Sequence, residues 1–272
     1  MQNPLSSIQY PDSVYSGESL NGLKHGFGSL RFNNGSVFTG IFANDQIISG
    51  EFVYEKDFVY EGQFQGLSRH GCGKFTCPQF TYIGDFVNDE MHGTGRLICA
   101  GMEFQGQFVN GEVNNGTLTK EKSVYTGSFT GQGFQYKSGT LKENDQIYTG
   151  DFDNNEFSGG GTLVYADSSV YAGQFKNNLK HGSGKLTFSN KNTFKGTFNN
   201  DQFEFGTYTF ENGNIYEGEF KNNEFNGKGV LKWKGGYYSG EFADDQFDGE
   251  GTITLENGFV VKGRFKNGEL VQ

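Results

Sequence analysis

A chain of 272 residues with 43 glycines and only three prolines is neither collagen nor a disordered linker, and an aromatic content of 16% supplies burial that disordered chains lack. The net charge of −10 divides evenly: 13 acidic and 8 basic residues in 1–136, 19 and 14 in 137–272. With no basic patch or tail, nucleic-acid binding and strong electrostatic attraction to anionic lipid are both disfavoured. No apolar run approaches the roughly 18 residues of a membrane span. The opening Met-Gln-Asn-Pro lacks a basic and apolar signal sequence. Three cysteines, Cys72, Cys77 and Cys99, fit a reducing intracellular setting rather than a disulfide scaffold.

Residues 1–13, with Pro4 and Pro11, read as an extended cap or tether that either covers the first strand's edge or docks onto a neighbour. From residue 14 to 272 one phrase recurs every 21 to 23 residues: aromatic-x-Gly-x-Phe. Looser copies start at Tyr15 and Phe38. Clear ones follow at Tyr60, Tyr82, Phe104, Tyr125, Tyr148, Tyr171, Phe194, Tyr216 and Tyr238, and a half copy starts at Val261. A fixed period over eleven and a half units predicts a stacked array. Within 216–237, Tyr216, Gly218 and Phe220 alternate with Glu217 and Glu219, Asn222-Asn223 marks a turn, and Gly227, Gly229, Leu231 and Trp233 alternate with lysines. Each unit is therefore a β-hairpin, and successive hairpins pair. The predicted fold is all-β: a single-layer antiparallel β-meander solenoid, a twisted rod with an aromatic-lined groove. Two strands per unit give about 9.6 Å of rise, so the whole array spans roughly 110 Å.

Paired glycines stand 11 and 13 residues after each leading aromatic. They are expected to leave a gap over which a neighbouring ring lies. The lining of the groove is then Tyr60, Tyr82, Phe104, Tyr125, Tyr148, Tyr171, Phe194, Tyr216 and Tyr238. The units at Phe38, Phe104 and Phe194 carry a single glycine instead (Gly50, Gly116, Gly206), and the Tyr125 unit is looser still. Nine residues after the leading aromatic an apolar residue recurs: Ile47, Met91, Val113, Phe157, Phe203, Phe225 and Phe247. This stripe either folds back to complete the core or forms an exposed seam for a partner.

Chemistry is sparse. His25, His70, His92 and His181 each precede a glycine, and register separates His70 from His92 by one unit, about 10 Å, too far to share a metal. The cysteines form no CxxC pair. The carboxylates Glu18, Asp85, Asp151, Glu219 and Glu241 recur at one position opposite the aromatics, as on a solvated face. Gly159-Gly160-Gly161 lacks the lysine and helix of a phosphate loop. No nucleophile, base and oxyanion donor combine, so no enzyme activity, metal or cofactor is expected.

Tyr-x-Gly-x-Phe, then His-Gly-x-Gly as in His181-Gly182-Ser183-Gly184, then a strand and a turn, resembles the MORN repeat. The resemblance covers about 95% of the chain, most closely at Tyr171 and Tyr216. It implies a non-enzymatic scaffold or docking platform in a large cytoskeletal assembly, foremost the ciliary axoneme with its radial spokes. The alternatives are a membrane-associated adaptor for phosphoinositide headgroups and a regulatory subunit that positions a separate enzyme. Expected partners are other proteins of a large complex. The half unit at Val261-Lys-Gly-Arg-Phe265 leaves an edge strand suited to a homodimer.

Overall fold

The computed structural model describes residues 5–130 and 133–271. Every element in it is a β-strand or a turn. The chain groups into two compact units, residues 1–135 and 136–272. The first holds twelve strands, from Leu5–Gln9 to Ser123–Thr130. The second holds thirteen, from Gln135–Glu143 to Glu269–Val271. Within each, consecutive strands pair antiparallel, so the chain meanders without crossovers. Residues 5–9 form a strand paired with Ser13–Leu20, which covers that strand's outer edge.

Hairpin turns are built by Asn and Asp. Asn177 and Asn178, Asn200 and Asp201, Asn222 and Asn223, and Asp244 and Asp245 all have positive φ, the conformation of a type I′ turn. Asn and Asp tolerate this region better than other non-glycine residues. The second turn residue also laces each tip to the preceding one. The backbone N–H of Asn178 donates to the Phe157 carbonyl (3.1 Å), and Phe157 N–H donates to the Asn178 side chain (2.7 Å). Asp201 repeats this with Lys180, and Asp245 with Phe225.

From Ser13–Leu20 to Val260–Lys266, one glycine per strand runs through each unit as a row. In the second, Gly150 pairs Gly161, Gly161 pairs Gly173, Gly173 pairs Gly184, and the row continues to Gly263. The leading aromatic lies over two members of this row. A Cβ on Gly173 or Gly184 would collide with the ring of Tyr171. The expectation of two gap-forming glycines is thus corrected. The glycine at offset +13 lies under the ring, whereas the one at +11 does not.

The +11 glycine belongs to a bulge. Between Gly173–Gly184 and Gln174–His181 the register slips by two residues, and Gly182 there has φ +61°. The same slip occurs at Tyr15, Tyr60, Tyr82, Tyr148, Tyr216 and Tyr238. The side chain at +3 covers it: Asp85 accepts from Thr94 N–H, Glu219 from Lys228 N–H and Glu241 from Glu250 N–H. These carboxylates therefore satisfy backbone donors that the bulge unpairs.

Units led by Phe38, Phe104 and Phe194 slip by one residue only, as in Gly196–Gly206 followed by Phe198–Phe203. That difference explains the choice of tyrosine. In the wide bulge the +3 carbonyl receives the tyrosine hydroxyl: Tyr171 donates to Gln174 O (2.8 Å), Tyr216 to Glu219 O (2.8 Å) and Tyr60 to Gln63 O (2.9 Å). Tyr171→Phe strands that part-buried carbonyl and should cost about 1–3 kcal/mol. A denaturant midpoint equal to that of the unmodified protein would contradict this role.

Candidate interaction surface

The leading aromatics are the core. Tyr60, Tyr82, Phe104, Tyr125, Tyr171, Phe194, Tyr216 and Tyr238 are 0% exposed and Tyr148 is 1% exposed. They do not line an open groove; each is closed in by rings. Phe175 and Phe198 meet Tyr171 edge-on at 4.9 Å from either side, one from its own hairpin and one from the next. Such edge-to-face pairs add about 0.5–1.5 kcal/mol each beyond area burial.

The residue nine positions on forms the lid. Phe157 stacks on Tyr148 at 3.8 Å and 7°, Phe225 on Tyr216 at 3.8 Å and 9°, Phe247 on Tyr238 at 3.8 Å, and Phe203 on Phe194 at 3.9 Å. Ile47, Phe203 and Phe225 are buried; Met91, Val113, Phe157 and Phe247 are half-buried. Phe134 occupies the same place in the Tyr125 unit and packs against Phe104 and Phe129 at 5.8 and 6.0 Å. It stands nine residues after Tyr125 and so extends the stripe to that unit.

In three units a cation replaces the lid. Lys180 lies near the rings of Tyr165 and Tyr171 (5.6 and 5.9 Å) and is tied to Asp201 at 2.7 Å and to the Tyr165 hydroxyl at 3.1 Å. Lys24 does the same with Tyr10 and Asp45. Arg69 stacks on Phe75 and Phe86 and pairs with Asp89. Burial works against the Lys180 ammonium, but its bonds to Asp201 and Tyr165 prevail and raise its pKa. A cation is thinner than a stacked ring, and two of these places open into equivalent cavities. One, of about 480 Å³, is lined by Tyr54, Phe58, Arg69 and Phe75. The other, of about 430 Å³, is lined by Tyr165, Lys180, Leu186 and Phe188.

Burial also marks the core tyrosines. It pushes the hydroxyls of Tyr60, Tyr82, Tyr148 and Tyr171 up to about 12, from an ordinary 10.0. Between those values the folded chain keeps protons that the unfolded chain releases, so stability is intact below pH 10 and falls as pH rises through the window. Tyrosinate absorbance should therefore rise together with loss of the β-sheet circular dichroism. Ionisation of these four hydroxyls near 10 with the sheet intact would contradict the burial argument.

The histidines stay apart, one to a hairpin. His25, His70, His92 and His181 are half-buried at the bulges. Cys72 is exposed, Cys99 half-buried and Cys77 buried, all as free thiols. Among the described residues, no three His, Cys, Asp or Glu side chains gather to hold a metal, and no helix is long and apolar enough to cross a membrane.

The hairpin with its glycine pair, leading aromatic and following Phe is the unit that a family comparison finds. The MORN repeat model matches residues 15–37, 60–80, 82–101, 148–170, 171–193, 194–215, 216–236 and 238–260. This chain belongs to the MORN repeat family. No curated protein matches it. The eight matched MORN repeats include seven of the wide-bulge class and the Phe194 repeat. The hairpins at Phe38 and Phe104 fall outside the matched segments yet pair glycine to glycine in the same row.

Proposed function

We propose that the protein is a non-enzymatic MORN scaffold that docks segments of partner proteins in a large cytoskeletal assembly, foremost the ciliary axoneme. The observation that carries this reading is how the repeats spend their residues. Rings and glycines of each repeat are used up in holding the hairpin, while the faces beside them change from repeat to repeat. Such an array offers a long, graded surface instead of one reaction centre. The axonemal setting is suggested by the resemblance of these repeats to MORN scaffolds of cytoskeletal assemblies.

The test is affinity purification of the tagged protein from its native cells, with mass spectrometry after a detergent wash. Retention of axonemal or other cytoskeletal proteins supports the proposal. Release by detergent, together with membrane proteins or a lipid kinase, overturns it in favour of a phosphoinositide adaptor. Stoichiometric retention of one enzyme alone favours a regulatory subunit.

A further inference from the structure

The second unit carries a half-exposed aromatic at the same level in four successive repeats. Val164 pairs Val170, Val170 pairs Thr187, and the register continues through Thr193, Thr209 and Ile215 to Lys232. The residues one step beyond 164, 187, 209 and 232 are Tyr165, Phe188, Phe210 and Trp233, all half-buried. At the corresponding level the first unit has Phe32, Tyr54, Cys77, Cys99 and Lys120, so the aromatic row there stops after two.

This row forms one wall of a furrow. Its floor is the lid position: Phe210 meets Phe225 at 6.1 Å, and Tyr165 and Phe188 share their cavity with Lys180. The hairpin tips lie at the other end of the same strands. Over residues 153–156, 176–179, 199–202, 221–224 and 243–246, six carboxylates face two lysines, a balance of −4. One of the six, Asp201, is already tied to Lys180 at 2.7 Å, which leaves five carboxylates against two lysines, a balance of −3.

The spacing selects the kind of chain that fits. Rings one repeat apart stand about 9.6 Å from each other along the sheet. A polyproline II helix advances about 9.3 Å per three-residue turn, whereas seven residues of α-helix advance about 10.5 Å. Across three intervals polyproline II falls about 1 Å short, and the α-helix overruns by about 3 Å. Grooves that read polyproline II use a ladder of aromatic rings.

From this juxtaposition we propose that the furrow of the second unit binds a proline-rich segment of a partner in the polyproline II conformation. Prolines pack on the rings of Tyr165, Phe188, Phe210 and Trp233, with Tyr208 bridging Phe188 and Phe210 (5.9 and 4.9 Å), and interspersed Arg or Lys side chains face the acidic hairpin tips. The proposal rests on the docking-scaffold reading and names the chemistry of what is docked.

Trp233 is the single tryptophan of the chain, so its fluorescence reports on the row directly. The full-length protein is titrated at physiological salt with three synthetic peptides. One repeats Arg-Pro-Pro, one repeats Arg-Gly-Ser at equal length and charge, and one is an amphipathic Leu-Lys helix. The expected result is saturable binding of the Arg-Pro-Pro peptide at least tenfold tighter than the other two, weakened about tenfold or more by Phe210→Ala. Circular dichroism must show that this variant folds; Tyr165→Ala serves if it does not. Equal binding of Arg-Gly-Ser reduces the furrow to charge alone and overturns the proposal. Tighter binding of the helix replaces the occupant. No response to Arg-Pro-Pro also overturns it, while the scaffold reading stands or falls separately on the native purification.

Discussion

Gly184→Ala should cost about 3 kcal/mol or more, lowering the melting temperature by on the order of 10 °C. The reason is space alone. Gly184 has ordinary strand dihedrals, but its new methyl would enter the ring of Tyr171, which is 0% exposed and held edge-on by Phe175 and Phe198. A close-packed aromatic cannot retreat without displacing its neighbours. Gly160 supplies the control. It too is a strand glycine without a positive φ, yet a Cβ there meets nothing within 4 Å. Gly160→Ala should be neutral, or stabilising by about 0.4–1 kcal/mol through the unfolded state. Similar melting of the two variants would show that ring-over-glycine packing does not fix the sheet.

The second large effect concerns the lid. Replacing Phe157, Phe203 and Phe225 together with serine should abolish cooperative melting of the second unit. Truncating a buried Phe costs about 3–5 kcal/mol, and a serine hydroxyl adds a polar group with no partner. Phe203 and Phe225 both touch Phe220, so their losses will not add simply. Phe225→Ser alone, read by circular dichroism and Trp233 fluorescence, gives a cleaner single value. An unchanged melt together with lost partner capture would instead assign these side chains to an exposed seam.

The period, the hairpins and the Asn-rich turns are readable in the sequence because each depends on residues close together in the chain. Tyr216, Gly218 and Phe220 alternate as a strand must, and Asn222-Asn223 can only turn. What the sequence conceals is register. A slip of two residues at Gly182 carries one glycine of the pair away from the ring and into a bulge. The pattern held a clue, since, the Tyr125 unit apart, tyrosine goes with Gly-x-Gly and phenylalanine with a single glycine. Its cause, a carbonyl needing a hydroxyl, required the geometry of Tyr171 and Gln174. Likewise the stripe at Phe225 is plain in the sequence, but its stacking on Tyr216 depends on how far the sheet bends. The acidic +3 position reads as solvated because its hydrogen bonds run to a backbone that only the bulge exposes.

Pairing confined to neighbouring hairpins has a consequence for how the chain is made. A ribosome adding about 5–20 residues per second releases one repeat in roughly one to five seconds. A hairpin closes in about 1–10 μs. Each newly emerged hairpin therefore finds the previous one already in place, and its Asn or Asp turn can lace onto a finished tip. Growth is templated from one end to the other, and at every moment of synthesis one bare strand is waiting for the next.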